Sequence, residues 1–335
     1  MPIARRRQAT SACALTLLAA LAAHPAAAQT LSLQNGDNVT VAGTGTTGTY
    51  QGQAINNATS AYSKSTSGGA AVTTSANSAF TLQNGGSISA SGNSSNALLA
   101  NGGTVTINGG SISDSSSDTF TDGLYADSST VTVNGGSLTA SGKQAAGLNT
   151  LASTVTINGG TLTSTGDGGV GLDVEEGNAT INGGLLSATG TGGVGLFASN
   201  NNAVTISGGT ISATGQNGFG LFDDGGTIKI SGGTIFASGT GGTGLYADGG
   251  TIDLFGTFDG YKTGDTINSG SGTITGTFLN GQALSTTYRT NNGIIEFNVG
   301  SAPVPEASSL VSFGLCLFGL TLLTIKARRR RTDTV

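Results

Sequence analysis

A pair of glycines preceded by Asn or Ser returns along this chain at a nearly fixed interval. The first glycine of each pair is Gly85, Gly109, Gly135, Gly159, Gly183, Gly208 and Gly232, spaced by 24, 26, 24, 24, 25 and 24 residues; Gly256 follows 24 residues on in a degenerate copy. A fixed period in this range marks a stacked repeat array, in which each unit buries its apolar face only against its neighbours.

One repeat reads TVTINGG, then TLTSTG, then GGVGLD, from Thr154 to Asp173. Each piece alternates. Val155 and Ile157 point one way and Thr154 and Thr156 the other, the period of a half-buried strand. The same inward pair recurs as Val105/Ile107, Val131/Val133, Val204/Ile206, Ile228/Ile230 and Ile252/Leu254. The second piece supplies Ile112, Leu138, Leu162, Leu186, Ile211 and Ile235, and the third Leu124, Leu148, Leu172, Leu196, Leu221 and Leu245. Three short strands per repeat, with glycine at the corners, make a triangular coil. Coils stacked in register pair every strand in parallel with its counterpart, roughly 4.8 Å away. Asn108, Asn134, Asn158 and Asn182 then fall in one corner column. Stacked amides hydrogen-bond along such a column, because each carries donors and an acceptor; Ser207 and Ser231 continue it.

Asn-Gly between alternating runs is also a hairpin signal, so antiparallel hairpins or a propeller compete with this reading. Propeller blades need about 40 or more residues, and the period here is too short. The expected fold is therefore all-β: a right-handed parallel β-helix of about 24-residue coils, with an N-terminal signal helix and a C-terminal transmembrane helix. Residues 29–80 read as an N-terminal cap and irregular first coils, with Leu31, Leu33, Val39 and Val41 alternating. The regular repeats span 81–256. Residues 257–300 read as cap strands, with closing strands expected over 273–278 and 294–299.

Both ends of the chain read as addresses. Residues 1–28 have the three parts of a secretory signal: Arg5, Arg6 and Arg7, a short apolar stretch over 13–23, and small residues up to Ala28, which place cleavage before Gln29. At the other end a linker over 301–309 contains Val304, Pro305 and Glu306. An apolar run over 310–325 follows, just long enough with its serine lead-in to cross a bilayer. The basic tail over 326–335, with Arg328, Arg329, Arg330 and Arg331, would hold the far side in the cytoplasm. This tripartite tail resembles the PEP-CTERM sorting signal; Ala307 stands where that motif has its second proline. The resemblance implies processing by an exosortase-type transpeptidase, after signal peptidase has acted, in bacteria that make exopolysaccharide. A plain C-terminal membrane anchor is the alternative.

Composition narrows the chemistry. Between residues 29 and 301 there are 16 acidic and 5 basic residues, a net charge of −11. Such a surface argues against nucleic acid, which selects clustered Lys and Arg. The two cysteines, Cys13 and Cys316, and the one histidine, His24, lie in the terminal segments. The repeats therefore hold no disulfide, Cys/His zinc site, Cys nucleophile or Ser-His pair.

The coil pattern resembles passenger domains of autotransporter adhesins and other secreted β-helix surface proteins. Parallel β-helices also host polysaccharide lyases and hydrolases, which need carboxylates converging in a cleft. The acidic candidates are Asp173, Glu175 and Glu176, then Asp223, Asp224 and Asp248, with Lys229 as the nearest base. A solvated turn is the simpler account of these acids, because Asp and Gly are ordinary turn residues. The string from Gly168 to Val174 matches a calcium nonapeptide, but its copies one and three coils on carry no Asp and the period is 24 rather than nine; no metal or other cofactor is expected. Outward Thr pairs such as Thr104/Thr106 resemble those of ice-binding solenoids, with breaks at Asn178 and Ala203. The most informative outward column is Phe197, Phe222 and Tyr246 on successive coils, with Tyr125 lower in the same register. Exposed rings stack on sugars or on a protein partner; a self-stacking ladder that stabilises the sheet is the alternative. The expected function is that of an exported, C-terminally sorted surface or matrix protein, adhesin-like and associated with exopolysaccharide, rather than an enzyme.

Overall fold

A computed structural model describes residues 29–298. The signal segment up to Ala28, the motif Val304, Pro305 and Glu306, the apolar run 310–325 and the Arg328 to Arg331 cluster all lie outside the described residues.

The described residues form a parallel β-solenoid of about eight turns. A regular turn has three strands, as in Val170–Glu175, Asn178–Ile181 and Leu185–Ala188. Each pairs in parallel with its counterpart one turn away, Leu172 with Leu196, Ile181 with Ile206 and Leu186 with Ile211. This register excludes a string of hairpins for the repeats. The expected inward columns are fully buried: Leu124 to Leu245 on the first sheet, the Val/Ile pairs on the second and Ile112 to Ile235 on the third. They merge into one continuous core. In two turns the second and third strands fuse into single strands, Thr104–Asp114 and Thr130–Ala140, so Asn-Gly-Gly there is a bend with a register shift rather than a break.

From Gly110 onward the second glycine of the pair explains the motif. Gly160, Gly184 and Gly209 all have φ of +87°, and a β-carbon on Gly160 would stand 2.9 Å from the Gly136 carbonyl oxygen of the turn below. Both the left-handed backbone and the close approach require glycine. Just before it the asparagine column forms as expected. Asn134 Nδ2 donates to Asn108 Oδ1 at 2.8 Å, Asn158 to Asn134 at 2.8 Å and Asn182 to Asn158 at 2.9 Å. The Ser207 hydroxyl lies 2.9 Å from Asn182 Oδ1, and there the ladder ends, because the Ser231 hydroxyl turns to the Ile206 carbonyl instead.

Both ends of the solenoid differ in detail from the sequence reading. The regular register already includes Gly69–Ser75 and Ala79–Leu82. The irregular part before it is an antiparallel meander, Asn38–Ala42, Gly45–Tyr50 and Gln53–Asn57, hanging from one strand of the first turn. At the far end Ala283–Asn291 and Ile294–Asn298 continue the parallel stack on Thr243–Asp248 and Thr251–Phe258. Gly270–Phe278 is the antiparallel strand that covers one of them. Alternation alone did not separate the stacked strand Ala283–Asn291, rich in Ser and Thr, from a loop. These additions pair edges that would otherwise template another chain. On the second sheet one outward column is threonine without interruption from Thr40 through Thr81, Thr106, Thr132, Thr156 and Thr180 to Thr205; the breaks at Asn178 and Ala203 belong to the column beside it.

Candidate functional site

The first sheet carries the chemistry on its outer side. Its five strands from Ala146–Leu151 to Thr243–Asp248 each have a glycine between the first residue and the inward leucine, and the pairing skips it: Val170 pairs with Val194 and Leu172 with Leu196, with Gly171 left out. A β-carbon on Gly171 would stand 2.6 Å from the Gly195 carbonyl oxygen. This local irregularity shifts the alternation. Two outward columns result, Ala146, Val170, Val194, Phe219, Thr243 and Tyr125, Asn149, Asp173, Phe197, Phe222, Tyr246, Arg289.

Together they build a small apolar cluster separate from the core: Ala146, Val170 and Val194, with Phe197, Phe219 and Phe222 packed against them. The three rings singled out in the sequence do lie in successive register positions, but they do not form a flat strip. Phe197 meets Phe222 edge-on at 5.1 Å and 78°, and Phe222 is tilted against Tyr246 at 4.7 Å. A fourth ring, Phe219, stacks on Tyr246 at 5.1 Å and 20°. Tyr246 is only 7% exposed, whereas Phe197, Phe219 and Phe222 are half-buried. The exposed aromatic surface is therefore that of the three phenylalanines. Phe219 was missed because it replaces a valine of the neighbouring column, and only the skipped glycine brings that column onto the same side.

Polar groups bracket the cluster. On its N-terminal side Asp122 accepts from Ala146 N–H at 2.6 Å and from Asn149 Nδ2 at 3.0 Å. Burial pushes its carboxyl up to about 6, against those hydrogen bonds and with the Asp114 charge adding to the rise. Asp173, directly beneath Phe197, has a buried Oδ1 without a hydrogen-bond partner. Burial first, and then the charges of Glu175 and Asp122, push it up to about 8. On the C-terminal side the Arg289 guanidinium lies over the Tyr246 ring, 5.3 Å from its centroid. Tyr246 Oη donates to Asp248 Oδ2 at 3.2 Å, and Asn291 Nδ2 donates to Asp248 Oδ1 at 2.9 Å.

The other acidic candidates do not converge on one cleft. Asp223, read from sequence as a solvated turn, is wholly buried in an inward column between Ala198 and Ala247. Its Oδ1 accepts from Gly226 N–H at 3.0 Å, and its Oδ2 fills the space that a β-carbon on Gly250 would occupy. The correction has a simple cause. The chain turns one residue after Asp224, and the acid caps that turn from inside, where lower turns use the Ser129 and Ser153 hydroxyls. Asp224 is exposed at the strand end. Lys229 sits on the second sheet in register with Asp253, whose carboxyl burial and then the Glu296 charge push up against the pull of Lys229, and not beside Asp248. Asp173 of the calcium-like string is packed under Phe197; among the described residues no three His, Cys, Asp or Glu gather as metal ligands. Among the described residues no helix is long and apolar enough to cross a membrane. Comparison with protein-family models, curated proteins and solved structures finds no match to this chain.

Proposed function

We propose that this chain is an exported, C-terminally sorted surface or matrix protein. In this reading its solenoid is a right-handed, non-enzymatic, adhesin-like scaffold that holds exopolysaccharide. The observation that carries the reading is the half-exposed cluster of Phe197, Phe219 and Phe222, which stands outside the core on one side of the first sheet. Aromatic faces match the apolar faces of sugar rings. Right-handed winding is the hand that parallel crossovers almost always take.

Changing Phe197 and Phe222 together to Ser, with Tyr246 left in place to hold the sheet, is expected to weaken polysaccharide binding about tenfold or more, equivalent to about 1.4 kcal/mol. The circular dichroism spectrum should be retained. Unchanged binding by the folded double variant removes the cluster from the function.

Export and sorting rest on the two terminal segments, with signal peptidase and an exosortase-type transpeptidase as the processing partners. Intact mass of the protein recovered from its host envelope and medium is expected to give a chain that starts at Gln29 and ends near Pro305. A chain that still carries residues 310–335 would instead be membrane-anchored through that segment, and the sorting proposal would fail.

A further inference from the structure

At the C-terminal end of the same side lies an open cleft of about 710 Å³, bounded by the start of strand Thr243–Asp248 and by the hairpin of Gly270–Phe278 with Ala283–Asn291. Antiparallel pairing sets Ser271 opposite Arg289 and Thr273 opposite Thr287, so these four side chains share one exposed side of the hairpin. Thr243 contributes from the strand beneath. Arg289 is the single arginine among the described residues, and its guanidinium makes no ion pair among them. Asp248, the nearby acid, is engaged instead with Tyr246 and Asn291.

A guanidinium seated on a ring face and left free of carboxylates presents a planar fork of N–H donors, which fits a carboxylate through two parallel hydrogen bonds. Around it stand hydroxyls, which exchange hydrogen bonds with sugar hydroxyls, and the aromatic cluster begins one turn away. The surrounding surface, with 16 acidic residues against 5 basic over residues 29–301, repels polyanions at a distance. An acidic ligand therefore needs the local contact that Arg289 alone among these positions supplies together with rings and hydroxyls. We propose that this cleft binds a uronate unit of an acidic polysaccharide, its carboxylate on Arg289 and its ring toward Phe219, which neighbours Thr243 in register. The proposal rests on the polysaccharide reading above and names the class of sugar.

The test is isothermal titration of the full-length chain, and of its Arg289→Gln and Arg289→Lys variants, with polygalacturonate and with the carboxyl-reduced neutral polymer. The wild-type chain is expected to prefer polygalacturonate at least tenfold. Arg289→Gln should abolish that preference and leave affinity for the neutral polymer within twofold, and Arg289→Lys should restore part of it. Equal affinity of the wild type for the two polymers, or an unchanged preference in Arg289→Gln, overturns the uronate assignment and leaves the wider polysaccharide reading intact. Binding of neither polymer by the wild type overturns both.

Discussion

Gly190→Val is expected to split the solenoid into two independently melting halves. Gly190 belongs to a corner column of Gly142, Gly166, Gly190, Gly215 and Gly239, where successive turns touch backbone to backbone. A β-carbon on Gly190 would stand 2.1 Å from the Gly166 carbonyl oxygen and 2.4 Å from its carbon. Nothing there can give way except the stacking itself, because the obstructing atoms are main chain. Overpacking in a well-packed interior costs about 1–3 kcal/mol, and a branched side chain against backbone falls at or above the upper end. Each turn contacts only its neighbours, so a weakened interface uncouples the two sides rather than unfolding the whole at once. Two residues on, Gly192 is the control. Its φ is +67°, yet a β-carbon there meets nothing within 4 Å. Ser94, Phe120, Gln144 and Asn217 already take positive φ in other turns, so Gly192→Asn should melt within a few degrees of the wild type. Differential scanning calorimetry checks both. A single wild-type transition in Gly190→Val would refute the backbone-contact account.

The solenoid is expected to lose stability as pH rises from about 4 to 8. Asp122, Asp173 and Asp223 are pushed up to about 6, 8 and 7, each chiefly by burial. A carboxyl raised above its unfolded value of about 3.9 keeps its proton in the folded chain where the unfolded chain has lost it. The folded state then binds more protons, so stability falls with pH. For Asp223 this stabilisation is complete below pH 4 and lost as pH rises through about 7, with a slope approaching about 1.4 kcal/mol per pH unit. The sign is opposite to that of salt-bridged carboxylates, which are lost in acid. Asp223→Asn keeps an acceptor for the Gly226 N–H but cannot ionise. Its urea midpoint should be flatter between pH 4 and 7 and higher than the wild type at pH 8. An identical pH profile in the two proteins would show that Asp223 does not titrate in this window.

Sequence alone determined the coil. The Gly-Gly period, the Val/Ile pairs and the single inward leucine define three strands per turn, because a period of two on each strand and 24 along the chain admits one stacking register. The same register places Asn108 to Asn182 in one hydrogen-bonded column. Local alternation and repeat length carry all of this, and both are visible in a one-dimensional string.

Other features depend on what lies above and below a residue. Gly190 and Gly192 are equivalent letters, and only the neighbouring turn makes one a backbone contact and the other an open corner. Asp223 and Asp224 are adjacent, and one caps a turn from inside while the other faces solvent. Phe219 joins Phe222 because skipped glycines turn two columns to one side. Arg289, distant in sequence from Tyr246, comes to rest over its ring because an antiparallel insertion lets the strand after it resume the stack. In each case the deciding term is a contact between turns, and contacts of that kind exist only once the chain has wound.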